Sequence, residues 1–222
     1  MSTREYIKNK KVKHFNMSGI EVFEKDPLTN GVESREVIGK ALKALPAHLL
    51  INVDSIYIGS FDFLKNREVQ AAYENSSIFV TNEQDSTEDM VDDIVHEIAH
   101  SVEDKYAGEI YSDQKIESEF LHKRKNMWLF LKDQGFKADL QNFLDISYSE
   151  DFDNYLYQEV GYSLLSMLTT NIFYSPYAAT SLREYFANGF EAFFIGEDID
   201  RLKNISPALY EKLIYLLALG DK

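Results

Sequence analysis

Apolar positions along the chain follow a helical period in most stretches and a strand period in two others. A helix is predicted over Ser34 to Leu45, because one face is apolar and a proline follows it. The Ile- and Val-rich residues 49–60 predict a strand, and a later stretch predicts a second strand around Ile78–Val80. Residues 1–35 are mostly polar and indicate a variable N-terminal segment of short extended pieces and turns.

The strongest helical pattern begins at the N-cap candidates of residues 85–87 and runs to about Tyr106. An apolar stripe follows this segment at helical spacing, so an amphipathic helix with one buried face is predicted. The stripe consists of Val91, Ile94, Val95, Ile98 and Val102.

Helices are also predicted in the second half of the chain, over residues 113–134, 159–170, 180–195 and 206–220. The acidic and aromatic stretch between 136 and 158 has no clear period. Because strands come early and helices later, the predicted fold class is a mainly helical α+β fold, and the length predicts a single domain over 1–222.

Composition narrows the classes of function. The 222 residues include 37 acidic and 23 basic side chains, and the net charge of −14 argues against nucleic acid as a partner because phosphate binding rests on Lys and Arg. There is no cysteine, which excludes disulfides, thiolate metal ligands and cysteine nucleophiles. No apolar run predicts a membrane span or a secretory signal. A cytoplasmic location is expected, with leaderless secretion as the alternative, and no oligomeric state is indicated.

The predicted helix after residue 85 contains HEIAH at positions 96–100. Residues four apart lie on one helix face, so His96 and His100 project side by side and their imidazoles can bind one zinc ion. Glu97 lies beside the pair, where a carboxylate can take a proton from a metal-bound water and hand it to a leaving amine. The alternative is a polar helix face without a metal, since so short a motif also arises by chance.

A catalytic zinc takes a third protein ligand and keeps water in its fourth position. The residues after His100 are SVEDKY, which lack the third histidine of the HExxHxxGxxH pattern. A glutamate from a later helix is the other solution, and residues 176–194 offer Glu184, with Glu191 as a rival two turns on. Either glutamate is otherwise an ordinary solvent-facing carboxylate.

The stretch SLREYFANGFEAFFIGEDIDRLKNISPALYEKLIYLL resembles the catalytic domain of the anthrax lethal factor family, which includes the clostridial proline-proline endopeptidases. The resemblance covers roughly residues 37–106 and 174–220, and it implies a zincin-type metallopeptidase domain with a small mixed sheet. The family's E-[FY]-F-A-x-x-F motif implies that Glu184 is the third zinc ligand. The family also carries a tyrosine seven residues before that glutamate, and the matching Tyr177 is implied to stabilise the oxyanion or assist the leaving group.

Two features depart from the family's pattern. The chain between the motif and Glu184 is longer than in compact members, so residues 113–158 are predicted to be an insertion that flanks the cleft. Position 188 is Asn where relatives often carry an acidic residue, which can orient a zinc-bound imidazole. Asp104, one helical turn after His100, is a second candidate for that role.

The predicted function is that of a zinc endopeptidase, in which His96, His100 and Glu184 bind Zn2+, Glu97 is the general base and Tyr177 the auxiliary donor. The predicted partner is a protein or peptide substrate, with no nucleic acid and no membrane. The alternatives are a catalytically silent zincin-fold module that uses zinc structurally, and a toxin-like protease with one host target.

Three other features have structural interpretations. The basic stretch FLHKRKNMW around His122 is predicted to be a solvated helix face with one buried aromatic side chain. His14 and His48 have no partner at ligand spacing and are predicted to be structural. By analogy with zincins, the strand Ser77–Val80 is expected to border the cleft and pair with an extended substrate.

Overall fold

A five-stranded mixed sheet organises the first half of the chain in the computed structural model, which describes residues 12–221. The strands are β1 (Lys13–Met17), β2 (Ile20–Glu24), β3 (Ser55–Ile58), β4 (Ala71–Glu74) and β5 (Ser77–Val80). Their order in the sheet is β1-β2-β3-β5-β4, in which β2, β3 and β5 run parallel and the outer strands pair antiparallel with their neighbours.

Helices make up most of the rest of the described chain, so the prediction of a mainly helical α+β fold is confirmed. None of the helices within residues 12–221 has both the length and the apolar composition needed to cross a membrane. The helices are α1 (Ser34–Lys43), α2 (Asp62–Asn66), α3 (Thr87–Tyr111), α4 (Lys115–Asp133), α5 (Leu140–Leu144), α6 (Glu150–Asn154), α7 (Tyr162–Thr169), α8 (Leu182–Phe194), α9 (Ile199–Ile205) and α10 (Pro207–Ala218). Single turns of 3-10 helix form at Ala47–Leu49, Tyr177–Ala179 and Leu219–Asp221, and Tyr155–Gly161 is π-helical.

The described residues form two compact units that divide between Lys105 and Tyr106, inside α3. Tyr106 has non-helical dihedral angles there, with φ −115° and ψ 25°. The first unit contains the sheet with α1 and α2, and the second contains α4 to α10.

The sheet has more strands than the sequence predicted, and one strand is paired differently from the expectation. β1 and β2 lie inside the segment 1–35, whose polar composition indicated only short extended pieces. The turn before β5 joins it to β4 as a hairpin, because Asn75 and Ser76 both adopt positive φ as in a type I′ turn. β5 is paired on both sides, with β3 and β4, so the expectation that Ser77–Val80 pairs with substrate is wrong.

One face of the sheet is buried and the other carries a row of stacked rings. Alternate residues of the inner strands, such as Val22, Ile56 and Ile78, are fully buried. A ladder crosses the opposite face strand by strand, with successive ring centroids 4.6, 5.1 and 5.2 Å apart. It consists of His14, Phe23, Tyr57 and Phe79. His14 is therefore a packing residue, as predicted.

In the second unit, α8 and α10 approach each other closely at Gly189. A Cβ at this position would lie 2.2 Å from Leu209 Cδ2 and 3.0 Å from Leu209 Cγ. Leu209 is fully buried, so its side chain has little room to move away. The missing side chain is what lets α10 pack against the middle of α8.

Gly189→Ala is expected to destabilise the protein by roughly 1–3 kcal/mol, because overpacking against Leu209 outweighs the gain in helix propensity. Gly39→Ala in α1 is the control, since a Cβ there meets Met17 Sδ at an ordinary 3.8 Å. This control is expected to gain about 0.5–1 kcal/mol. Urea unfolding measures both, and a Gly189→Ala protein as stable as the wild type would contradict the close packing.

Candidate metal centre

The structure brings the predicted ligands His96, His100 and Glu184 together. One ligand atom from each side chain lies within 4.8 Å of the ligand atoms of the other two. A zinc ion bound at about 2.0–2.2 Å from each atom would hold them roughly 3.3–3.5 Å apart, so the group is close enough to bind one metal ion. Within residues 12–221, the rival Glu191 belongs to no such group.

Helix α3 holds the two histidines in position. Their ring centroids are 5.1 Å apart and the rings stand at 83°, with His100 buried and His96 partly buried. The predicted apolar stripe of this helix is buried at all five positions, which fixes the face that carries the histidines. The helix begins after Ser86, whose hydroxyl oxygen accepts a hydrogen bond from Asp89 N at 3.0 Å.

A carboxylate one turn further along α3 reaches the second histidine. Glu103 Oε2 lies 3.5 Å from His100 Nδ1, at the long limit of a hydrogen bond, and both side chains are largely buried. A carboxylate that accepts the Nδ1 proton leaves Nε2 as the ligand atom and orients the ring. Sequence reasoning did not assign this role to Glu103, although its spacing of three residues from His100 is a signal for it.

Neither of the two residues that the sequence offered for this orienting role makes a hydrogen bond to a ligand histidine within residues 12–221. Asp104 is exposed, and it makes no hydrogen bond to either histidine within residues 12–221. Asn188 is buried on α8, and its side chain has no hydrogen-bond partner in the described part of the chain. Of the three polar residues, Glu103 is the one in contact with a ligand histidine.

The start of α8 positions Glu184. Ser181 is the N-cap, and its hydroxyl oxygen accepts a hydrogen bond from Glu184 N at 3.1 Å, as the sequence SLRE favours. Leu182, the first residue of the helix, donates its N–H to Ile146 O at 2.9 Å. Glu184 therefore lies in the first helical turn, where the positive end of the helix dipole favours a carboxylate.

A partly buried hydrogen-bond network holds α8 against α4 and α10. The hydroxyl of Tyr185 donates to Glu119 Oε1 at 2.8 Å. Glu119 also accepts the N–H groups of Ala208 and Leu209 at 2.8 and 3.2 Å, which caps the start of α10. Burial, followed by the Glu119 carboxylate, raises the pKa of Tyr185 well above its ordinary value, so its hydroxyl remains a donor.

Lys123 on α4 is buried beside this network. Its ammonium group donates to Ile172 O, to Ile205 O at 2.5 Å and to Ser206 Oγ at 3.0 Å. Burial lowers the pKa of Lys123 to about 8, although the charge of Glu119 opposes that shift.

Arg124, the next residue, is fully buried and donates to Asp145 O at 2.8 Å, to Thr180 O at 3.5 Å and to Asn142 O. The guanidinium carbon lies 4.2 Å from the ring centroid of Phe152. The prediction of a solvated basic face is therefore wrong for Lys123 and Arg124, whereas it holds for the exposed His122. No local signal marks these cations as buried, because their acceptors come from distant segments.

The predicted insertion contributes to the core of the second unit. Residues 113–158 supply α4, α5 and α6, and their buried side chains include Phe120, Phe143 and Phe152. Through Arg124 and through Ile146 O, this segment holds the residues immediately before Glu184.

Of the two predicted catalytic residues, Glu97 directly follows His96, and Tyr177 lies seven residues before Glu184. Glu97 on α3 is 8% exposed, and its carboxylate has no hydrogen-bond or ion-pair partner within residues 12–221. Tyr177 lies in the 3-10 turn before α8 and is 43% exposed. Its carbonyl oxygen accepts from Thr180 N at 3.0 Å, which ties that turn to the entrance of the helix.

Comparisons of the chain with protein-family models, with curated proteins and with solved structures find no match. Function is therefore inferred from the residues and the geometry of the site.

Glu103→Gln is expected to weaken zinc binding by roughly 10–100-fold, because the amide orients and polarises the His100 ring less well than a carboxylate. Asp104→Asn is the matched control, because it removes the same charge from an exposed neighbour. Competition with a chromophoric zinc chelator measures both affinities. Equal zinc affinity in wild type and Glu103→Gln would refute the role given to Glu103.

The stability loss caused by Lys123→Met is expected to be larger at pH 10 than at pH 7. The pKa of Lys123 falls from 10.5 to about 8 on folding, so the unfolded chain binds more protons between these values. Raising the pH through this window therefore favours the folded wild type, by on the order of 2–3 kcal/mol relative to the variant.

Urea unfolding at pH 7, 8, 9 and 10 tests the effect, with Lys125→Met as the control because that lysine is exposed on the same helix. A stability difference between wild type and Lys123→Met that does not change with pH would contradict it.

Proposed function

We propose that this chain is a zinc-dependent endopeptidase with a zincin-type fold, related to the anthrax lethal factor family. The observation that carries the proposal is the convergence of His96 and His100, one helical turn apart, with Glu184 from a distant helix. Two imidazoles and a carboxylate are the ligand set of one class of catalytic zinc site.

The number of ligands favours a catalytic metal over a structural one. Structural zinc sites are closed by four protein ligands, whereas catalytic sites keep one position for water or substrate. The group within residues 12–221 has three members. This observation supports an enzyme over the alternative of a silent module that uses zinc for stability.

Zinc bound at this group would polarise the scissile carbonyl and lower the pKa of the attacking water. Glu97 accepts the proton of that water and delivers it to the amine of the leaving peptide. Glu97 suits this role because it follows the ligand His96 on α3 and its carboxylate has no partner among the described residues, which leaves it open to a bound water. Tyr177 donates its hydroxyl to the oxygen on which negative charge develops.

Glu97→Gln is expected to retain one zinc per chain and to lose peptide cleavage by at least about 100-fold, because the amide cannot accept the proton of the water. Zinc content is measured by inductively coupled plasma mass spectrometry, and cleavage by mass spectrometry of an unbiased peptide library. A fully active Glu97→Gln protein would refute the assignment of the base.

The double variant His96→Ala, His100→Ala is the companion test of the metal. It is expected to bind no zinc, and wild-type zinc content in this variant would exclude the site. A wild-type protein that binds zinc but cleaves no member of the library would instead support the structural-zinc alternative. The cleaved sequences, where they are found, identify the substrate class.

A further inference from the structure

The link between α5 and α6, residues 145–149, is held by hydrogen bonds on both sides of Tyr148. Two residues before it, Ile146 O accepts the N–H of Leu182, the first residue of α8. One residue after it, Ser149 caps α6 by accepting the N–H of Phe152 at 3.3 Å. Residues 147 and 148 therefore have little freedom, although they lie in an irregular segment.

The buried side chain of Arg124 also holds this link through hydrogen bonds. Its guanidinium group donates to the carbonyl oxygens of Asn142, Asp145 and Thr180, which joins the link to the chain just before α8. The link and the first turn of α8 thus share two independent sets of contacts. Glu184 lies in that turn.

Tyr148 projects from this fixed link with 53% of its surface exposed. Its hydroxyl donates to Asp153 Oδ2 at 3.2 Å, which ties the ring to α6. The core beneath the link is filled by Phe143 and Phe152, whose ring centroids are 4.9 Å apart. The ring of Tyr148 is therefore available for contacts outside the core.

The charges that act on Tyr148 include the carboxylate of the candidate zinc ligand Glu184. Partial burial raises the pKa of Tyr148, and the carboxylates of Asp153, Glu150 and Glu184 raise it further. Glu184 is the smallest of these causes. The geometric observation is the bond from Leu182 N to Ile146 O, which joins the backbone just before Tyr148 to the helical turn that carries Glu184.

We propose that Tyr148 contacts the substrate at the rim of the candidate metal centre, where its ring packs against an extended peptide bound at the zinc. The inference rests on the proposed endopeptidase function and adds a residue to it. Tyrosine is suited to this position because it offers a large, rigid contact area with few rotatable bonds.

The test compares two hydroxamates on the zinc-loaded 222-residue chain by isothermal titration calorimetry. Acetohydroxamate engages the metal alone, and a tripeptide hydroxamate engages the metal and the peptide subsites. The tripeptide is the tightest wild-type binder from a panel of varied side chains. Tyr148→Ala is expected to weaken the tripeptide hydroxamate about tenfold, the effect of losing one well-packed aromatic contact, and to leave acetohydroxamate unchanged.

Two further variants separate the ring from other effects. Tyr148→Phe keeps the ring and is expected to stay within about threefold of wild type, since it loses only one exposed hydrogen bond. Tyr215→Ala removes another exposed tyrosine, from α10, and is expected to change neither affinity. Zinc content and thermal midpoint are recorded for every variant.

Each outcome decides the inference. Equal weakening of both hydroxamates, or loss of zinc in Tyr148→Ala, would show a purely structural role and overturn it. Unchanged tripeptide affinity, or a panel that binds no tighter than acetohydroxamate, would also overturn it. Selective weakening without cleavage of any library peptide would support the contact while the proposed hydrolysis fails. A wild type without zinc refutes the proposed function, and this inference with it.

Discussion

Two cations buried side by side on α4 impose the main constraint on the second unit of this protein. A buried ammonium or guanidinium group is tolerated only where acceptors replace its water. Lys123 and Arg124 therefore bind carbonyl oxygens on both sides of the 3-10 turn Tyr177–Ala179, at the end of α9, and within and just after α5. Segments far apart in sequence are thereby held together at the entrance of α8.

The position of Glu184 follows from that arrangement. The N-cap Ser181 fixes the first turn of α8, and the bond from Leu182 N to Ile146 O fixes where the helix begins. Tyr185 and Glu119 then hold the next turn against α4 and α10. A carboxylate in so constrained a turn is preorganised, which favours metal binding because little conformational entropy is lost.

Buried ionisable groups in the described residues differ in whether the fold satisfies them. Lys123 is buried and Glu119 is partly buried, and each has several hydrogen-bond partners that join separate segments of the fold. Glu97 is also buried, yet no described residue pairs with it. The carboxylate oxygens of Glu97 are not among the fully buried unpaired atoms of the described residues, so water or a ligand can reach them. The contrast separates residues that build the site from the residue proposed to act in it.

The sequence by itself determined the pair His96 and His100, because residues four apart share a helix face whatever surrounds the helix. Spacing left Glu184 and Glu191 equivalent as the third ligand, and the resemblance to a family was needed to choose between them. Only the tertiary structure placed Glu184 with the histidines and paired β5 on both sides. It also buried Lys123 and Arg124 of α4. Strand order and the acceptors of a buried cation depend on segments distant in sequence, which no local pattern encodes.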